Sequence, residues 1–233
     1  MNTIKIIIHG TGTMSSILKN VIEAEEDLEV SGFADDLTNE KGDIIIDFSH
    51  FSRIPNMLKF AINNNIPIVI CTTGYDDKIL SQIKEASSKI PILLSSNTSI
   101  GINLMNDLVS KMAAVLNNFD IEILETHHNK KADSPSGTAK TLFNMINETL
   151  ENKMNLINGR EGNHKRDKNE IGIHSIRGGS VVGEHRVIFY GDDEAIEIKH
   201  SAMSKKIFVH GAIKAAKFLI GKKPSLYGMK DVL

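Results

Sequence analysis

The chain has 233 residues, 41% of them hydrophobic, enough to bury a real core in one large domain or two modest ones. Lysine and arginine number 27 against 29 acidic residues, and no long basic run breaks that balance, so the charge gives no footprint for nucleic acid or a membrane surface. No apolar run approaches the roughly 20 residues of a membrane span. The single cysteine, Cys71, excludes an intramolecular disulfide and suits a reducing compartment, and the start at Met1 shows no leader pattern, so the cytoplasm is the expected location.

The first predicted element is a strand over residues 4–8, nearly all apolar and therefore buried on both faces. A turn, His9-Gly10-Thr-Gly-Thr-Met14, leads into a helix whose Met14, Ile17, Leu18, Val21 and Ile22 share one face. Strands follow over 28–34 and 43–48. A helix carrying Ile54, Met57, Leu58, Ala61 and Ile62 comes next, then a strand over 66–70, a helix over 79–87 and a strand over 90–94. Strands alternating with helices predict an α/β fold built on a Rossmann-like, doubly wound parallel sheet. The rhythm changes after about residue 97, with a helix over 102–116, a strand over 121–125 and a helix over 139–150. Residues 152–170 are polar, contain Gly159 and Gly162, and are expected to form a long loop. Runs over 172–177, 185–190 and 195–200 suggest strands of a second sheet, and a last helix over 207–220 stops at Gly221 with Pro224 just beyond.

Two constellations carry chemistry. The Gly10-to-Met14 turn sits at the first strand-to-helix junction, where backbone N–H groups can reach a pyrophosphate. Asp35 lies 23 residues after Gly12 at the end of the second strand, close to the ~20-residue offset at which an acid bonds the adenosine ribose hydroxyls. Gly10, Thr11, Gly12, Thr13, Met14 and Asp35 are therefore candidate dinucleotide contacts. Later strand ends add Phe48, Cys71, Thr72, Thr73, Ser95, Ser96, Asn97 and Thr98, where an open sheet keeps its ligand crevice. Asp36 adds a second negative charge, with Lys5 or Lys41 as possible offsets, so NADH should serve at least as well as NADPH.

The second constellation is Glu125-Thr-His-His-Asn-Lys-Lys-Ala-Asp-Ser-Pro-Ser-Gly-Thr138. It crowds two imidazoles and two ammonium groups ahead of a turn in which Ser136 can cap a helix, an arrangement suited to a bound anion. His127 or His128 is the natural proton donor, and Lys131 can donate a proton or hold a carboxylate. The nine histidines follow no metal-ligand spacing and have no cysteine pair beside them, so no metal is expected. Together the two constellations predict hydride transfer to an acidic substrate, followed by protonation.

The long Glu125-to-Thr138 stretch closely resembles the E-x-H-H-x-x-K-x-D-x-P-S-G-T pattern of the 4-hydroxy-tetrahydrodipicolinate (dihydrodipicolinate) reductase family. Similarity continues through Gly172-Ile-His-Ser-Ile-Arg-Gly-Gly179, Val182-Gly-Glu-His185 and Met229-Lys-Asp-Val-Leu233. The resemblance implies NADH or NADPH as hydride source and a cyclic unsaturated dicarboxylate as substrate, in lysine and diaminopimelate biosynthesis. It makes His127 the catalytic acid/base, Lys131 a second proton donor, and His128, Ser136, Gly137 and Thr138 substrate contacts. It also implies a dinucleotide-binding domain of residues 1–97 plus 208–233, an inserted mixed α+β substrate and tetramerisation domain of 98–207, and a homotetramer. The chain departs from the family at Ser15, where a third Gly is common, at Asp36, near a frequent Arg, and at Cys71, where Gly is common; these bear on cofactor preference. The competing expectations are another NAD(P)-dependent reductase of an amino-acid precursor and an inactive dinucleotide sensor. A sensor should have lost His127 or Lys131, and neither is lost.

Overall fold

A computed structural model describes residues 3–233. The chain divides into two compact units: residues up to Ile100 with Lys205–Leu233, and Gly101–Ser204.

The first unit is a six-stranded sheet built from β1 (Ile4–His9), β2 (Leu28–Ala34), β3 (Ile44–Asp47), β4 (Ile68–Ile70), β5 (Pro91–Leu94) and β11 (Ser225–Tyr227). The order is β11-β5-β4-β3-β1-β2, and every pairing is parallel. Helices cover both faces, which is why these strands read as unbroken apolar runs. On β1, Ile6 and Ile8 pack with Leu18 and Ile22 of α1 (Thr13–Ile22) and Ala212 and Ala216 of α6 (Lys206–Leu219). Ile7 points the other way, into a core shared with α2 (Ile54–Asn64) and α3 (Asp77–Ala86). Local chemistry sets the helix ends: Asp76 Oδ1 accepts from the Ile79 N–H at 2.9 Å to start α3, and Asn65 stops α2 in the left-handed conformation at φ 53°. The chain thus re-enters this unit through α6, and β11 adds an edge strand beside β5. That strand has only three residues and no alternation, so periodicity does not reveal it.

The second unit is a mixed five-stranded sheet in the order β10-β9-β6-β8-β7. Its strands are β6 (Asp120–His127), β7 (Asn155–Asn158), β8 (Glu170–Arg177), β9 (Gly183–Gly191) and β10 (Glu194–Ala202). Helices α4 (Ile100–Val115) and α5 (Gly137–Thr149) cover one face, where Met105, Val109, Leu142 and Phe143 meet Ile121, Ile123, Ile173 and Phe189. The stretch 152–170, expected as loop throughout, is corrected at Asn155–Asn158, which pairs parallel with β8. Its two apolar residues are too few to announce a strand; the exposed edge of β8 supplies the main-chain partners.

Candidate active site

At one end of the second unit's sheet, the helix-covered face changes from apolar to charged. Alternation along β6 puts Ile121, Ile123, Glu125 and His127 on that face. The register then sets Glu125 beside Ser175 and His185, and His127 beside Arg177. Glu125 is fully buried. Burial alone would raise its pKa, but the Arg177 guanidinium, Ser175, His127 and the Ser136 N–H outweigh it and hold the carboxyl at about 2. The Arg177 fork donates to both carboxylate oxygens at 2.8 Å, and the Ser136 N–H donates to Oε1 at 3.1 Å.

His127 Nδ1 lies 2.5 Å from Glu125 Oε2. A carboxylate can only accept, so the hydrogen sits on Nδ1 and Nε2 is left to exchange a proton. A Cβ on Gly183 would come within 3.1 Å of that Nε2. The His127 ring meets His185 edge-on at 5.2 Å, and His185 Nε2 lies 3.0 Å from Ser136 Oγ. Burial, then the charge of His127, pushes the His185 pKa down to about 4, so His185 is neutral near pH 7.

Ser136 is the N-cap of α5, as its position in the sequence predicts, and its Oγ accepts from the Ala139 N–H at 3.2 Å. A Cβ on Gly137 would meet nothing within 4 Å, which leaves the first turn of α5 open to an anion. Lys131 Nζ donates to Asp133 Oδ1 at 2.7 Å and holds that carboxyl below its ordinary range. The Asp133 carbonyl accepts from Arg177 at 2.7 Å, which ties Lys131 into the cluster around Glu125. His128 Nδ1, His185 Nδ1 and Arg177 Nε are buried without a hydrogen-bond partner. Orphaned polar atoms of this kind suit a site that receives a polar ligand.

The first unit gathers the other candidates at the carboxyl edge of its sheet. Gly10 has φ +105°, and a Cβ there would lie 2.8 Å from the Phe48 carbonyl oxygen, so only glycine fits this turn. Gly12 is the N-cap of α1, no side chain caps it, and a Cβ there would meet nothing, so the helix start where Thr13 and Met14 stand can receive a phosphate. Thr11 Oγ1 donates to Asp35 Oδ2 at 2.8 Å. Phe48, Cys71 to Thr73 and Ser95 to Thr98 follow β3, β4 and β5 on the same edge. Within them Thr72 Oγ1 donates to the Ser49 carbonyl, Ser95 Oγ to that of Asn97 and Thr98 Oγ1 to that of Phe208. Burial, and then Asp47, push the Cys71 thiol well up, which suits a packed thiol rather than a nucleophile. This glycine cradle, with an uncapped helix start and an acid at the end of β2, fits a nicotinamide dinucleotide.

Residues 4–98 match the family model for the N-terminus of dihydrodipicolinate reductase, and residues 101–233 match that for its C-terminus. The chain belongs to the dihydrodipicolinate reductase family. Membership makes it an NAD(P)H-dependent oxidoreductase. A 4-hydroxy-tetrahydrodipicolinate reductase of Brachyspira hyodysenteriae is 71% identical over 229 residues, covering 98% of this chain and 99% of the relative. Another, from Caldanaerobacter subterraneus subsp. tengcongensis, is 45% identical over 246 residues, covering 99% and 98%. Among solved structures, a dipicolinate-bound dihydrodipicolinate reductase from Paenisporosarcina sp. TG-14 shares the fold with a TM-score of 0.82 at 22% identity, covering 99% of this chain and all of that one.

Four residues escape the sequence reading as site residues. Glu125 is signalled by an acid standing where β6 alternation demands an apolar residue. Arg177 and His185 meet it only through strand pairing, which local sequence does not encode. Arg53, at the start of α2, donates from Nη1 to the Asp35 carbonyl at 2.9 Å and lies 3.0 Å from Asp36 Oδ1. It supplies the offset that the sequence suggested for Lys5 or Lys41.

Proposed function

We propose that this enzyme reduces the cyclic dicarboxylate derived from 4-hydroxy-tetrahydrodipicolinate to tetrahydrodipicolinate, in lysine and diaminopimelate biosynthesis. The observation that carries the residue roles is the Glu125–His127 pair, set on one strand beside Lys131 and the open start of α5. Saturating a conjugated double bond adds one hydride and one proton. The Gly10-to-Met14 turn, Asp35, Phe48, Cys71 to Thr73 and Ser95 to Thr98 would hold reduced nicotinamide dinucleotide, which would supply the hydride. His127 supplies the proton from Nε2, while Glu125 fixes the ring through Nδ1. Lys131, released from Asp133, holds a substrate carboxylate or acts as the second proton donor. His128 and the Ser136-Gly137-Thr138 cap receive the other carboxylate, with backbone N–H groups and the helix dipole opposing its charge. The dipicolinate bound by the Paenisporosarcina enzyme, itself a cyclic dicarboxylate, supports this substrate class.

NADH is expected to serve at least as well as NADPH, because Asp35 suits a ribose diol and Asp36 opposes a 2′-phosphate. The unit of residues up to Ile100 with Lys205–Leu233 is assigned to the dinucleotide, and Gly101–Ser204 to substrate and self-association into a homotetramer. Among the described residues no helix is long and apolar enough to cross a membrane, and a cytoplasmic location suits a biosynthetic enzyme.

The test is loss of nicotinamide absorbance while substrate is generated in place by the preceding synthase from pyruvate and aspartate semialdehyde, run separately with NADH and NADPH. Synthase-dependent oxidation that Lys131→Ala abolishes is the expected result. Dinucleotide binding without any such oxidation would favour the sensor.

A further inference from the structure

Beside the end of β2 lies a cleft of about 390 Å³ whose lining includes His9, Asp35, Asp36, Thr38, Arg53 and Lys59. The Asp35 main chain is gripped from two sides: its carbonyl accepts from His9 Nε2 at 3.0 Å and from Arg53 Nη1 at 2.9 Å. Its carboxylate accepts from Thr11 at 2.8 Å, and Arg53 Nη2 lies farther off, 3.8 Å from the same oxygen. Asp35 thus keeps its His9 and Thr11 contacts whatever Arg53 does, while Arg53 Nη1 is shared between the Asp35 carbonyl and Asp36. Asp36 differs: its side chain is 76% exposed and sits 3.0 Å from Arg53 Nη1. An ion pair so open to water is weak and exchangeable.

A phosphate on the adenosine 2′-oxygen would bring its oxygens into the region where Asp36 now offers one carboxylate to Arg53. Guanidinium binds phosphate through two parallel, charge-assisted hydrogen bonds and so outcompetes a solvated carboxylate partner. Removing Arg53 would leave such a phosphate facing Asp35 and Asp36 with Lys59 as the remaining lysine or arginine of this lining.

We propose that Arg53 sets the choice between NADH and NADPH: Asp36 holds its guanidinium while the ribose carries a 2′-hydroxyl and yields it to a 2′-phosphate. Asp36 is thus a built-in competitor for the phosphate, and Arg53 the residue that makes NADPH acceptable despite two neighbouring acids. The inference rests on the dinucleotide reading of this unit given above.

Calorimetric titration with ADP-ribose and with 2′-phospho-ADP-ribose, which lack the nicotinamide, tests it without reference to turnover. The quantity to read is the ratio of the 2′-phospho Kd to the ADP-ribose Kd. Arg53→Met should raise that ratio about tenfold, the loss of one charge-assisted contact, and Asp36→Asn should lower it about threefold, the release of an exposed pair. Arg53→Lys should fall between wild type and Arg53→Met, because it keeps the charge and loses the fork. A ratio that stays within about twofold of wild type in Arg53→Met, or that moves in the same direction in Arg53→Met and Asp36→Asn, overturns the inference alone. Failure of the wild type to bind either ligand overturns the dinucleotide reading and the inference together.

Discussion

Glu125 acts on His127 in two ways, fixing its tautomer and opposing the loss of its proton. Burial is the largest influence on the ring and pulls its pKa below the ordinary 6.5; the hydrogen bond and charge of Glu125 pull it back up, and Lys131 and Arg177 push it down. The net direction is down, so in the free enzyme at neutral pH the ring is largely uncharged. A proton donor must be charged before it acts, so kcat/KM should fall as pH rises through a value below 6.5. A bound dicarboxylate raises the ring's pKa, and the corresponding break in kcat should therefore lie at higher pH. Glu125→Gln removes the charge and keeps the shape, so the break in kcat/KM should move further to acid and kcat should drop by about 10- to 100-fold. The same change leaves the Arg177 fork without its anion, at a cost of about 3 kcal/mol in the stability of this unit. Dinucleotide affinity, assigned by the proposal to the other unit, is the control. A pH profile superimposable on that of the wild type would remove Glu125 from the proton-transfer machinery.

At the scale of elements, α6 shows how a helix can shape a ligand turn that is distant in sequence. Gly211 lies inside α6, where glycine costs about 1 kcal/mol relative to alanine. Its reason is contact: a Cβ there would lie 1.7 Å from the Thr98 carbonyl oxygen, and Thr98 Oγ1 donates to the Phe208 carbonyl at 2.6 Å, one turn earlier. The atom in the way is backbone and cannot rotate aside. Gly211→Ala should therefore lower unfolding free energy by about 2–3 kcal/mol and weaken dinucleotide binding by displacing the Ser95-to-Thr98 turn. Denaturant titration and calorimetry would check both, and an unchanged midpoint would show that the turn yields freely. This coupling marks the limit of what local sequence reports. Strands such as β1 announce themselves, because burial on both faces demands an apolar run, and Ser136 announces a helix start because its hydroxyl can accept from an N–H three residues on. The strands β7 and β11 do not, since each is recruited by a neighbour's edge rather than by its own pattern. Arg53 escapes for a similar reason: it reaches Asp35 and Asp36 only after α2 has packed against the sheet. His127, Lys131 and the α5 cap were legible because their chemistry is contiguous in sequence, whereas Arg177 and His185 enter through the register of β8 and β9.

For the whole molecule, the question is how the second face of the mixed sheet meets its surroundings. Alternation assigns Glu122, Leu124 and Thr126 of β6, His174 and Ile176 of β8, and Arg186, Ile188 and Tyr190 of β9 to the face opposite α4 and α5. Ile176 is 49% exposed and Tyr190 45% exposed. Around them run partnered polar groups, His174 hydrogen-bonded to Glu122 at 2.8 Å, and Glu184 ion-paired with both Lys199 at 2.8 Å and Arg186 at 3.1 Å. A broad sheet surface that mixes apolar side chains with already-paired charges can meet a symmetry-related copy of itself without burying lone ions. It is the surface on which the proposed homotetramer would assemble. Light scattering on the eluting protein should give four copies of the 25.7 kDa chain. Tyr190→Asp, placing an unpaired charge at that contact, should shift the population to smaller species and make the melting temperature depend on protein concentration. Val115→Asp is the matched control: Val115 is 78% exposed at the end of α4, on the helix side of the sheet, so the same change in charge there should leave the assembly intact. A tetramer that survives Tyr190→Asp, or one that Val115→Asp dissolves instead, would move the interface off the open sheet face.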